Sequence, residues 1–386
     1  KVLVVDDSVF FRNFLRGCLN AMKGVEVVGV ARDGVDALEK IKQLDPDVIT
    51  LDMEMPRMNG MEVLERLGSE ENHLEVIVVT GTNSNDAERT VKALEAGAFD
   101  FIVKPSSSDR NPAETLTKLL DEKIALAVKK VRISSRRAGI VKSAAPAPSP
   151  PRRKAATRIE AQRERVAAQK RRGGVALPAG VVAGKNRAQS LRGRPDIVAI
   201  GSSTGGPKAL HDLFAALPGD IPVPLVLTQH MPKLFLISLA KRINDSSALG
   251  CVIAEDGMRL KPGVIHVAPG ELHMEIVRSA GGLQVQLVDT PKVHHCKPAV
   301  DPMFFSLSKL APQVKTLAVV LTGMGSDGAL GALEIGSAKG HVIVQDETTS
   351  VVWGMPGATV KLGAAHEVRP LSLIDEAIMR FFAGGR

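Results

Sequence analysis

Short apolar runs that stop at polar residues dominate the first part of the chain. One run closes at Val4-Val5-Asp6-Asp7-Ser8, a second at Ile49-Thr50-Leu51-Asp52-Met53-Glu54-Met55-Pro56, a third at Val78-Val79-Thr80-Gly81 and a fourth at Phe101-Ile102-Val103-Lys104-Pro105. Asn59-Gly60 marks the turn after Asp52. Helical patterns fill the intervals, so each run reads as a buried parallel strand with its polar group at the C-terminal end. In open α/β sheets that edge is where sites form. The spacing therefore gathers Asp6, Asp7, Asp52, Thr80 and Lys104 at one spot.

Three crowded carboxylates are unfavourable without a cation, and a hard divalent ion such as Mg2+ takes oxygen ligands of this kind. Asp52 can then serve as a nucleophile that accepts a phosphoryl group. Lys104 and Thr80 can hold the phosphoryl oxygens through charge-assisted bonds. With these motifs, residues 1–130 resemble response-regulator receiver domains. The resemblance implies a doubly wound, flavodoxin-like parallel sheet, with Asp52 as phosphoacceptor and Mg2+ held by Asp6, Asp7, Asp52 and the Glu54 backbone carbonyl. It also implies a Thr80–Phe101 switch pair, although an aromatic residue at 101 equally suits a plain core position.

The second half repeats the scheme with other chemistry. Asp196-Ile197-Val198-Ala199-Ile200-Gly201 reads as a strand, followed by Ser202-Ser203-Thr204-Gly205-Gly206-Pro207 and a helix from Lys208. Taken alone, this is a serine at a strand-to-helix turn or a phosphate-binding turn, but one without the Lys-Ser/Thr ending of a P-loop. Pro224–Gln229 runs to His230, and Leu317–Ser326 runs to the glycine-flanked Asp327. A serine, a histidine and an aspartate at strand C-termini can converge as nucleophile, base and orienting acid. Their order is not that of α/β-hydrolases, and the Gly-x-Ser-x-Gly elbow is missing.

Five stretches of residues 195–386 resemble the chemotaxis protein-glutamate methylesterases, the CheB family. They are Ile200–Gly206, Thr228-Gln229-His230-Met231-Pro232, Val267-Ala268-Pro269-Gly270, Leu321–Gly328 and Gly354-Met355-Pro356. Periodicity does not choose between Ser202 and Ser203. The resemblance does, because the family's nucleophile directly precedes Thr-Gly-Gly, which makes it Ser203, with His230 and Asp327 completing the triad. Thr204 and Met324 are the positions to inspect for oxyanion N–H groups. The resemblance implies a doubly wound α/β catalytic domain without a cofactor. It implies hydrolysis of glutamyl methyl esters on methyl-accepting chemotaxis receptors, release of methanol, and deamidation of receptor glutamines. It further implies inhibition by the unphosphorylated receiver, relieved when a chemotaxis histidine kinase phosphorylates Asp52. The expected domains are 1–133, a linker over 134–194, and 195–386.

Composition refines this picture. Net charge is +8 over 386 residues, but Ser134–Arg194 alone holds 16 Lys+Arg against 2 Asp+Glu, a surplus of 14 that leaves the remainder at −6. Ala145-Pro146-Ala147-Pro148-Ser149-Pro150-Pro151 reads as a semi-extended spacer, and Thr157–Arg172 as a short helix with a thin apolar face. The basic segment suits a solvated linker or an anionic-partner patch. Without an aromatic residue it offers no base-stacking platform, so no nucleic-acid partner is expected. The rival reading makes the second half a non-enzymatic module that acts with a nucleic-acid-binding segment, but no helix-turn-helix signal follows residue 195.

No apolar run reaches the ~18 residues of a membrane helix, so no membrane insertion is expected. Three cysteines without metal spacing fit a reducing cytosol, hence a cytoplasmic protein. The chain starts at Lys1, inside the first strand pattern, which makes a removed signal peptide a poor expectation. Pro291–Asp301, with His294, His295 and Cys296, is poorly spaced for zinc. The resemblance implies a stretch beside the substrate groove here, with Lys297 facing acidic groups of the receptor, and a plain surface loop is the equal alternative. His266 and His273 are expected to be structural or surface residues, and Trp353 a packing residue.

Overall fold

The computed structural model describes residues 1–68, 74–105, 111–142, 191 and 193–383, with side chains of the long helix described to 131. The basic spacer and the short helix expected within 157–172 lie outside the described residues. One compact unit comprises Lys1–Ser134 and Ala183–Arg386.

Its first sheet contains β1 (Val2–Val5), β2 (Val27–Ala31), β3 (Val48–Asp52), β4 (Glu75–Thr80) and β5 (Asp100–Val103), in the order β2-β1-β3-β4-β5 with every pairing parallel. The helices between them are α1 (Val9–Asn20), α2 (Gly34–Leu44), α3 (Gly60–Gly68) and α4 (Ser84–Glu95), and α5 (Pro112–Lys142) follows β5. The α5 helix runs nine residues beyond 133, the expected end of the first domain. Period two explains the layering. Val2 and Val4 face Leu15 and Leu19 of α1 and Leu116 and Leu120 of α5, while Leu3 and Val5 face the opposite layer. Side-chain caps start the helices: Ser8 accepts from Phe11 N–H, and Asn83 and Asp86 form a capping box.

The second sheet has seven parallel strands, β6 (Ile197–Ser202), β7 (Leu225–Gln229), β8 (Gly250–Ile253), β9 (Val264–Val267), β12 (Thr316–Val320), β13 (His341–Gln345) and β14 (Glu367–Arg369). Their order is β14-β13-β12-β6-β7-β9-β8. Between β9 and β12 lies an antiparallel hairpin, β10 (His273–Ser279) and β11 (Gly282–Val288). The helices are α6 (Gly206–Ala216), α7 (Lys233–Ser246), α8 (Val300–Lys309), α9 (Ala329–Ser337), α10 (Met355–Lys361) and α11 (Ile374–Met379).

The chain enters this sheet at β6, builds outward through β7, then returns to the other side through β12. The switch point therefore falls between β6 and β12. A single buried cluster joins Ala87, Val91 and Leu94 of α4 to Leu213 and Phe214 of α6 and to Phe235, Leu236 and Leu239 of α7. The two sheets thus share apolar packing. Among the described residues no helix is long and apolar enough to cross a membrane.

Candidate functional site

Two polar clusters sit at the C-terminal edges of the two sheets. In the first, Asp6 follows β1, Asp52 ends β3, Thr80 ends β4 and Lys104 follows β5. Lys104 Nζ donates to Asp6 Oδ2 at 2.9 Å and to Asp52 Oδ2 at 2.8 Å. Asp6, Asp7 and Asp52 each offer a carboxylate oxygen within 4.8 Å of the others. Burial raises the Asp6 carboxyl against the pull of Lys104, and the Asp52 charge adds to the rise. Burial would lower Lys104, but its bonds to Asp52 and Asp6 hold it above the usual lysine range. These hard oxygen donors and their mutual repulsion fit a divalent cation such as Mg2+.

Glu54 N–H donates to Asp52 Oδ1 at 3.3 Å, and the Glu54 carboxylate pairs with Arg89 on α4. Thr80 Oγ1 accepts from Thr90 Oγ1 at 2.9 Å, which ties it to α4 and not to the acidic group. Phe101 stacks on Phe235 of α7 at 4.7 Å between ring centroids, so position 101 is neither free nor simple core of the first sheet.

In the second cluster Ser203 follows β6, His230 follows β7 and Asp327 lies in the loop after β12, on both sides of the switch point. Gly205 takes φ 76° so that the chain can turn from Ser203 into α6, and a Cβ there would lie 2.5 Å from Val351 Cβ. Gly323 lets the β12 loop close on the serine: a Cβ there would meet Ser203 Cβ at 2.8 Å. Met324, next in that loop, is 39% exposed at the rim.

Asp327 is buried, and its carboxylate is saturated. Oδ2 meets His230 Nε2 at 2.7 Å and Val300 N–H at 2.6 Å, while Oδ1 accepts from Asp301 N–H at 3.0 Å and Gly328 N–H at 2.9 Å. Val300 and Asp301 open α8, so the helix dipole also favours the charge. Burial alone would raise this carboxyl, but His230 and the backbone donors hold it below the usual range. Burial works against a charged His230, yet the bonds to Asp327 and Cys296 raise it to about 9. Among the described residues, the partner of His230 Nδ1 is Cys296 Sγ at 3.4 Å and not Ser203 Oγ.

The structure adds residues that sequence reading passed over. Gln229 accepts from Ser202 Oγ at 2.6 Å and donates to the Ser203 carbonyl at 3.0 Å, bracing the serine turn. Thr322 Oγ1 donates to the Thr204 carbonyl at 2.9 Å. Asp100, at the start of β5 and one residue before Phe101, accepts from Thr204 Oγ1 at 2.8 Å and pairs with Lys123. Arg242 of α7 donates to Glu95 of α4. The first sheet therefore touches the residue beside the serine. Thr204 and Gln229 lie in stretches the sequence singled out, but their partners are separated too far along the chain for any spacing to reveal.

The His294-His295-Cys296 run does not converge. His294 Nε2 turns to Asp301 Oδ2 at 3.1 Å, whereas Cys296 turns to His230. His266 and His273 are buried, each bonded to backbone groups. Trp353 Nε1 donates to the Gln345 carbonyl.

Comparison with known proteins agrees with both halves. A family model described as CheB methylesterase matches residues 198–378, and one described as response regulator receiver domain matches residues 2–114. A Maricaulis maris protein named protein-glutamate methylesterase/protein-glutamine glutaminase is 38% identical over 390 residues, covering 100% of this chain and 96% of that protein. A Pyrococcus horikoshii protein of the same name is 38% identical over 382 residues, covering 98% of this chain and 93% of that protein. The solved Thermotoga maritima CheB methylesterase catalytic domain is 39% identical, spans 49% of this chain and 99% of its own, and gives a TM-score of 0.47.

Proposed function

The chain belongs to the CheB methylesterase family, and from that premise we propose that it is a phosphorylation-regulated esterase acting on glutamyl methyl esters of chemoreceptors. The observation that carries this reading is the bond between His230 and the buried Asp327, with Ser203 following the neighbouring strand β6 at the switch point. With Asp327 on Nε2, the base is Nδ1, which Cys296 Sγ gives up when Ser203 approaches. Ser203 Oγ attacks the ester carbonyl as Nδ1 takes its proton. The oxyanion is met by backbone N–H groups near Thr204 and Met324, donors that each contribute about 2.7–4 kcal/mol. Methoxide leaves as methanol with the proton from His230, and water then cleaves the acyl-serine by the same relay. A glutamine side chain enters the same acyl-enzyme with ammonia as leaving group, which accounts for a glutaminase activity.

Asp52 accepts the phosphoryl group from a chemotaxis histidine kinase. Asp6, Asp7, Asp52 and the Glu54 carbonyl would hold Mg2+, which when bound supplies charge neutralisation for the incoming phosphoryl group. Thr80 and Lys104 bind its oxygens. The contacts Thr204–Asp100, Phe101–Phe235 and Arg242–Glu95 support a covered resting state. A Thr80 that turns toward the phosphoryl group gives up Thr90, and Phe101 then leaves Phe235 for the vacated space. The setting is the cytoplasm, where receptor tails and kinase meet.

The test is methanol release from methylated receptor by wild type, Ser203→Ala and Asp52→Asn, with and without phosphodonor and Mg2+. Release that is abolished in Ser203→Ala, and that no longer responds to phosphodonor in Asp52→Asn, is expected. Release independent of Ser203 would overturn the catalytic assignment.

A further inference from the structure

The nitrogen that Ser203 needs already has a partner. Cys296 Sγ lies 3.4 Å from His230 Nδ1, and Asp327 holds the opposite ring nitrogen at 2.7 Å. Sulfur, imidazole and carboxylate stand in the order nucleophile, base and orienting acid, the constellation that activates a thiol. A tight turn fixes the sulfur there: Cys296 N–H and C=O both bond to Val293, at 2.9 and 3.1 Å, with His294 and His295 in the left-handed region at φ 49° and 64°. Of the chain's three cysteines, Cys18 and Cys251 are buried, and only Cys296 is partly exposed. Nothing in the esterase cycle described above uses it.

We propose that Cys296 is a reactive thiol of the catalytic site, activated by His230–Asp327, and that its oxidation by hydroperoxides switches the esterase off. The inactivation rests on the reading of His230 as the base for Ser203; the reactivity of the thiol does not. In the step itself, His230 Nδ1 takes the thiol proton and the sulfur attacks the hydroxyl oxygen of the peroxide. The O–O bond breaks, and its electron pair leaves on the distal oxygen. That oxygen takes the proton from Nδ1 and departs as water or an alcohol. Sulfur is oxidised by two electrons to the sulfenic acid, and the peroxide is reduced by two. The new oxygen lies against Nδ1, where it blocks the approach of Ser203. A small dithiol reverses the change.

The test uses the full chain. Iodoacetamide labelling mapped by mass spectrometry is expected to modify Cys296 about tenfold faster in folded wild type than in His230→Gln. It is also expected to modify it faster in the folded than in the urea-unfolded wild type, a comparison that needs no variant. Hydrogen peroxide is expected to remove methanol-releasing activity in step with sulfenic acid at Cys296, and dithiothreitol to restore it. Cys296→Ala is expected to keep its own untreated rate under the same exposure. Equal labelling in folded and unfolded chain, or equal peroxide loss in Cys296→Ala, would overturn the proposal. A fast-labelling Cys296 in a chain that releases no methanol would instead sink the esterase reading and leave the activated thiol standing.

Discussion

The environment of His230 makes a directional claim about pH. A base must be neutral to accept the Ser203 proton, and this imidazole is held up to about 9 by Asp327 and Cys296 in spite of its burial. With His230 as the proposed base, the rate is therefore expected to rise with pH on a limb displaced to the alkaline side of an ordinary histidine. Cys296→Ala removes one of the raising influences, so the limb is expected to move to lower pH, as read from a pH profile of kcat/KM; a limb that stays in place would contradict this. Linkage has the opposite sense. A folded-state value above the unfolded 6.5 stabilises fully below that pH, and the contribution is lost as pH rises through about 9. The sheet-edge positions of Ser203, His230, Asp327 and Asp52 were legible in the sequence because each closes or follows a continuous apolar run, where chain position and sheet edge coincide. Cys296 was not. It sits in a loop, and its contact with a histidine sixty-six positions away follows no period.

At the level of elements, β5 and α4 of the first sheet press on α6 and α7 of the second. Asp100, Phe101 and Glu95 supply the specific contacts. One hydrogen bond of this kind contributes about 1 kcal/mol, or about fivefold in a two-state balance. Asp100→Ala is therefore expected to raise methanol release without phosphodonor several-fold and to shrink the stimulation by phosphodonor. Unchanged basal release would remove Asp100 from the covering contact. The strands themselves were easy to anticipate, because parallel strands buried on both faces leave unbroken apolar stretches. The β10–β11 hairpin left a weaker trace. Met274 and Ile276 are buried on either side of the half-buried Glu275, a two-residue alternation that turn chemistry alone has to delimit. Residue 133, the expected end of the first domain, falls inside α5, because no glycine or proline marks a stop there.

Over the whole molecule, charge and packing are partitioned differently. The basic surplus belongs to about sixty residues between the two sheets, while the sheets share one apolar cluster. In the proposed covered state, a long connecting segment is expected to dilute the covering domain, because effective concentration falls as linker length grows past the span it must bridge. Shortening 140–190 is accordingly expected to lower methanol release in the absence of phosphodonor, and equal release from both lengths would refute it. Domain order and edge chemistry were readable from sequence, whereas the shared cluster was not, because α4 and α7 carry the same kind of apolar stripe as any sheet-covering helix.

The hydrogen bond from Thr204 to Asp100 has a consequence that runs backward through the molecule. In the proposed covered state, a receptor segment that reaches Ser203 displaces the receiver from Thr204, the same release that phosphorylation of Asp52 is proposed to bring about. Coupling free energy is reciprocal. The factor by which a phosphoryl mimic at Asp52 tightens binding of a receptor peptide must equal the factor by which that peptide tightens binding of the mimic. The esterase would then be charged preferentially where its substrate already is, with the receptor array acting as an address as well as a target.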